Sequence, residues 1–164
     1  MRQLAGSVLV AVLVLAAASA SLAQGYGGGG GSEPAQPPTP PPPSAAPSDA
    51  KVVAQLRTGI EHARNAAGSG AMAGAVSHLG HVLNCIEGSR GRNFNASWGH
   101  VCQGQGDGIV NDIKGLRNAE NLMLVLESAN SLAVAGVRAR ELGAVQSAAR
   151  GVGSLLQVVL DGLR

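Results

Sequence analysis

The stretch "MAGAVSHLGHVLNCIEG", residues 72–88, decides the fold. Met72, Val76, Leu79, Leu83 and Ile86 recur at alternating steps of four and three, the signature of one buried helical face, and Gly88 stops the run. On a helical wheel, His78, His81 and Cys85 fall together well over 90° from that stripe. Two imidazoles and a thiol on one wet edge read either as part of a metal site or as solvated residues beside a structural cysteine.

Upstream, Ser48 and Asp49 supply an N-cap signal, and Val53, Leu56, Ile60, Ala63 and Ala67 repeat the same spacing, so a first helix is expected to end near Ala67. "GSG" at 68–70 is a tight turn joining it to the second. Downstream, the loop "GSRGRNFNASWGHVCQGQGDG", residues 88–108, is long enough to require a purpose, and Asp107 can cap a third helix beginning near Ile109. Ile113, Leu116, Met123, Leu126, Ala133 and Val137 continue one helical stripe, and Val145, Ala149, Val152, Leu156, Val159 and Leu163 form a cleaner one. Residues 67–83, with "AG" then "GAVSHLGHVL", are echoed by "AG" at 135–136 and "GAVQSAARGV" from Gly143, an offset of 69 with one residue of slippage. The expected fold class is therefore all-α: a four-helix up-down bundle over 49–164, built from two helical hairpins that meet near Val137 to Arg140, with a disulfide-closed loop between helices 2 and 3.

The N-terminus reads as an export signal over 1–23: Arg2 gives a positive start, "VLVAVLVLAA" an apolar core, and "SLA" small residues before Gln24. This predicts a periplasmic or secreted protein, with membrane contact only if the leader stays uncleaved. Residues 24–48 are a proline-rich tail: glycines come first, and all eight prolines of the protein then fall between Pro34 and Pro47, a composition expected to stay disordered. In an oxidising compartment the two cysteines, Cys85 and Cys102, are expected to pair, which stabilises by roughly 3 kcal/mol in the chain-entropy estimate. With Tyr26, Phe94 and Trp98 as the only aromatics, the helices must share an aliphatic core, and Phe94 and Trp98 are expected to fold back on the bundle's end.

Charge excludes one class of partner, since 12 basic against 10 acidic residues, with no basic cluster, give nucleic acid nothing to hold. The chain lacks the Cys-x-x-Cys-His of covalent haem, the His-Glu-x-x-His of zinc proteases, the Glu-x-x-His of di-iron bundles, a phosphate loop and a calcium loop. The residues that remain are histidines. A disulfide to Cys85 holds His100, two residues before Cys102, within roughly 10 Å of His81. Hence His78, His81 and His100 are the expected ligands, with Asp107, Asp112 and Glu87 as oxygen donors nearby. His62 lies opposite the buried side of the first helix and reads as solvated, but it stands at nearly the same height as His78 above the "GSG" turn, where a shift of one helical position would bring the two together, so it is kept as a further candidate ligand. Imidazoles in an exported protein suit copper, nickel or zinc.

"EHARNA" at 61–66 with "SHLGHVLNC" at 77–85 resembles the histidine-bearing repeats of small periplasmic metal-binding helical bundle proteins of bacteria, over the residues from Leu56 to Cys85. That resemblance implies metal sequestration without catalysis. Where the second hairpin echoes the first, His78 and His81 become Ser147 and Arg150, so only one half carries the ligands. Two other classes compete with this expectation: an interaction module whose partner docks on the 88–108 loop, and a bundle holding haem, ligated by a histidine and Met72 or Met123, or another apolar ligand.

Overall fold

A computed structural model describes residues 47–164; the leader expected over 1–23, and the tail expected over 24–48 except its last two residues, lie outside the described residues. The described residues form α1 (Pro47–Gly68), α2 (Met72–Glu87), a 3-10 turn (Ala96–Trp98), α3 (Ile109–Asp112), a second 3-10 turn (Ile113–Gly115), α4 (Ala119–Val137) and α5 (Leu142–Gly162), with no strand among them. None of these helices is long and apolar enough to cross a membrane.

α1 starts at Pro47, two residues inside the expected tail, because proline's fixed φ suits a first helical turn and its missing N–H is not needed there. Val52, Leu56, Ile60 and Ala63 are its buried face, and Leu79, Val82, Leu83 and Ile86 are that of α2. α1 packs on α2 and α5, and α4 packs on α5 and α2. Leu56, Leu79, Leu83, Ile86, Ile109, Ile113, Leu126 and Leu156 are fully buried between them, each contributing roughly 1.5–3 kcal/mol of hydrophobic stabilisation. The last residues of α1 and α4, Gly68 and Val137, are 69 positions apart, and the first of α2 and α5, Met72 and Leu142, are 70 apart. The two hairpin turns thus recur at the spacing of the sequence echo.

The third helix departs from expectation. It does not run unbroken from Ile109 to Val137: Leu116 is extended, with ψ 159°, and Asn118 takes the left-handed conformation, φ 62°, before α4 begins. Asparagine tolerates that region better than most residues, so the break has a local cause. Asp107 does not cap α3 either. The cap position is Gly108, whose φ of 102° disfavours any side chain, and the Asp107 N–H instead donates to Asp112 Oδ2 at 2.8 Å.

The long loop is pinned by polar side chains that the helices bury. Asn84, with no exposed surface, donates from Nδ2 to the carbonyls of Asn95 (2.8 Å) and Gly99 (2.6 Å) and accepts the Asn95 N–H (2.9 Å) on Oδ1. Gln55, equally buried, donates to Asp112 Oδ2 at 2.7 Å and accepts the Gly108 N–H at 3.0 Å. Glu87 accepts the Asn93 N–H at 2.7 Å, the Asn93 amide at 2.5 Å and the Asn130 amide at 2.9 Å. Buried polar groups are costly unless bonded, so these three residues require the loop as much as it requires them. The Cys85–Cys102 disulfide is formed, with Cα atoms 5.3 Å apart and both residues buried.

The loop therefore covers the face of α2 that a helical wheel leaves wet, and Cys85 lies beneath it. Trp98 packs against α2 at Gly80, where a Cβ would overlap the indole. Phe94 does not join it; its ring stands edge-on to His100 with centroids 5.2 Å apart.

Candidate metal centre

His62 lies six residues before the last residue of α1 and His78 six residues after the first of α2, so the turn sets them side by side; His81 shares the face of His78 at i+3. Alanines allow the helices to close up there: Ala63, Ala66 and Ala75 are buried. Imidazoles on the edge of such a close pair reach across it.

The three rings meet through their Nδ1 atoms. His62 Nδ1 stands 3.2 Å from His78 Nδ1 and 3.1 Å from His81 Nδ1, and the potential ligand atoms of all three lie within 4.8 Å of one another. Ring centroids are separated by 5.3 Å (62 to 78), 4.7 Å (62 to 81) and 5.7 Å (78 to 81). Nitrogens bound tetrahedrally to one ion at about 2.0 Å stand about 3.3 Å apart, so the two short contacts are near the edges of such a polyhedron. All three residues are half-buried, which leaves an ion there in contact with water.

Electrostatics favour the ligating form. Burial lowers the pKa of His62 from its ordinary 6.5, and His81 and His78 lower it further, against an opposing pull from Glu61. Burial also lowers that of His81, with His78 adding to the effect, while a backbone hydrogen bond at Trp98 acts in the opposite sense. Rings held neutral at physiological pH offer a lone pair to a metal.

Of the expected ligands, His78 and His81 are in this cluster and His100 is not. Gly99 takes φ 84° and turns the chain, so the Trp98–Gly99 backbone faces His81, whose Nε2 is 3.6 Å from where a Gly99 Cβ would stand. The His100 ring is sent onward to Phe94 and lines a polar hollow with Lys51, Ser89, Gln103 and Asp107. The disulfide brought the loop within reach without aiming that side chain. His62 takes the third place instead, and the feature that marks it is its equal distance from the turn.

The oxygen donors are also engaged elsewhere. The Asp107 side chain is 69% exposed, 4.0 Å from Arg90, and Asp112 is held by Gln55. Burial would raise the pKa of Glu87, but the Asn93 amide and N–H, the Asn130 amide and the charge of Arg92 outweigh it and hold the carboxyl below its ordinary 4.5. Glu87 is thus an ionised anchor for the loop. The chain matches no protein-family model, no curated protein and no solved structure.

Proposed function

We propose that this is an exported, non-catalytic metal-binding protein, an up-down four-helix bundle of two hairpins in which His62, His78 and His81 hold one copper, nickel or zinc ion for sequestration or buffering. The observation that carries it is the convergence of three Nδ1 atoms from two helices, with 3.1 and 3.2 Å contacts. Uncompensated imidazoles do not gain by crowding, since any two that protonate repel each other, whereas an ion shared among them offsets that cost. An all-imidazole set suits these borderline metals and not calcium or magnesium, which take oxygen.

Calorimetric titration of the metal-free protein with zinc, nickel and copper at pH 7.5 tests the reading. One ion per chain is expected, with binding abolished in the His62→Ala/His78→Ala/His81→Ala triple variant. Equal binding by that variant would overturn the assignment.

A further inference from the structure

α4 and α5 form an antiparallel hairpin whose outward face is free of charge. A Cβ on Gly136 would overlap Ala148, one on Gly151 would overlap Leu132 and one on Gly162 would overlap Leu122, so the helices touch along their length, with Ser128 level with Leu156. Away from the core, Leu124, Ser128 and Leu132 of α4 lie beside Gly151, Leu155 and Val158 of α5, each exposed or half-buried. Among the described residues the two exposed large hydrophobic side chains, Leu124 (65%) and Val158 (53%), both stand on this face. The charges of the two helices are at its margins: Glu120, Glu127 and Arg138 on the side of α2, Arg150 and Asp161 on the side of α1, all exposed. α1, by contrast, turns Lys51, Arg57, Glu61 and Arg64 to solvent.

The face is large for a surface left in water. α4 has 19 residues and α5 has 21, each about 30 Å long at 1.5 Å per residue, and two helices side by side span about 20 Å, which gives about 600 Å². One such face stands at the upper end of the apolar patches that monomers leave open, about 300–600 Å². Two of them closed on each other bury about 1,200 Å², where specific interfaces begin.

We infer that this face pairs with a second copy of the chain, across a two-fold axis that sets the hairpins antiparallel, α4 on α4 and α5 on α5. The inference is independent of the metal reading. Charge selects the arrangement. With the axis at the level of Ser128 and Leu156, Arg150, six residues before Leu156, comes opposite Asp161 of the second copy, five after it. Glu120, eight before Ser128, comes opposite Arg138 of the second copy, ten after it. Both pairs join residues of the same margin, and the symmetry makes each of them twice. Within the uncharged face, Leu124 falls on Leu132 and Val158 on Leu155. A two-fold axis running along the helices would instead bring Arg138 near Arg150 and Glu120 near Asp161, like against like. In the antiparallel pairing Glu127 alone is set beside its own copy.

Sedimentation equilibrium of the exported protein with a chelator present tests this, the chelator excluding a dimer bridged through histidines. A mass that rises with concentration to two chains by about 500 μM is expected for an area at the low end of specific interfaces. Leu124→Glu and Val158→Glu replace exposed side chains and should keep the helical circular dichroism. Each should raise the dissociation constant at least about tenfold, because closing the interface would strip water from an unpaired charge. Glu127→Gln should lower it. The orientation has its own readout: Ser128→Cys, on the axis, should cross-link to its own copy under a mild oxidant, whereas Ala144→Cys should not, its two copies standing about 36 Å apart. A single chain at every concentration, with or without binding to lipid vesicles, would overturn the inference. So would a dimer that both glutamate variants leave intact, or one in which Ser128→Cys stays unlinked.

Discussion

His62 on α1 and His81 on α2 meet Nδ1 to Nδ1 at 3.1 Å across 19 positions of sequence. Such proximity depends on a short turn and on alanines between the helices, so it is sensitive to whatever holds α1 against α2. Neither histidine could be placed there by its own helix alone.

Single substitutions should separate ligand from bystander. His62→Ala, His78→Ala and His81→Ala should each weaken zinc binding by more than about tenfold, and the double variants should lose less than the sum, because residues that share an ion are coupled. His100→Ala should bind as wild type does, since its ring is turned toward Phe94. Competition with a chromophoric chelator measures all of these. Copper should also quench Trp98, which lies against the residue preceding His81.

Acid should loosen the metal-free protein in two steps. His62 and His81 have folded-state pKa values below 6.5, so as pH falls through 6.5 the unfolded chain takes up protons first and stability declines until the folded rings also protonate. Glu87 acts lower down: its folded pKa is below 4.5, so the stability it contributes is complete above 4.5 and is lost as pH falls through the folded value. Urea midpoints at pH 7.5, 5.5 and 3.5 should fall in that order, and His62→Ala/His81→Ala should flatten the first step only.

Opening the disulfide should cost about 3 kcal/mol in the chain-entropy estimate, for a bridge that spans 17 positions. The Cys85→Ser/Cys102→Ser variant should show this as a lower urea midpoint with an intact far-ultraviolet helical spectrum. In the wild type, thiol reagents should find nothing to label until a reductant is added.

Gly80→Ala should be disproportionately harmful for so small a change. Its Cβ would overlap the Trp98 indole, and overpacking of this kind costs about 1–3 kcal/mol. Displacing Trp98 toward water should shift its emission to longer wavelength, whereas Gly70→Ala, where a Cβ meets open space, should leave emission unchanged.

Much of the helical framework was legible in sequence because burial has a period. Val145, Ala149, Val152, Leu156 and Val159 are buried in α5 as the spacing indicates. Periodicity carries no information on breaks, however, and Gly115 and Asn118 were the residues that should have suggested one before α4. The site was half legible for a similar reason. A wheel gives each side chain an angle within its own helix, which placed His78 and His81 together, but His62 depends on how α1 is rotated against α2. His100 was assigned from covalent reach, which limits distance and leaves direction open; the turn at Gly99 supplied the direction. Glu87 reads in sequence only as an oxygen donor, and Gln55 and Asn84 carry no signal of their own, because the burial of all three is caused by the loop and no local pattern announces a cover supplied from elsewhere in the chain.

Gly88 and Gly108 touch through their backbones: a Cβ on Gly108 would stand 2.6 Å from the Gly88 nitrogen, and one on Gly88 would overlap the Asp107 carbonyl. The excursion between them leaves the helices and rejoins them at a single spot. Its length is therefore no part of the geometry that α2 and α3 must satisfy, and closure entropy grows only slowly with added residues. For protein engineering this makes the exposed part of the segment at Gln103 and Gly104 a graft point: a peptide inserted there would be displayed from a loop whose ends are held together, while Asn93, Asn95, Gly99 and Cys102 keep the bonds that α2 requires.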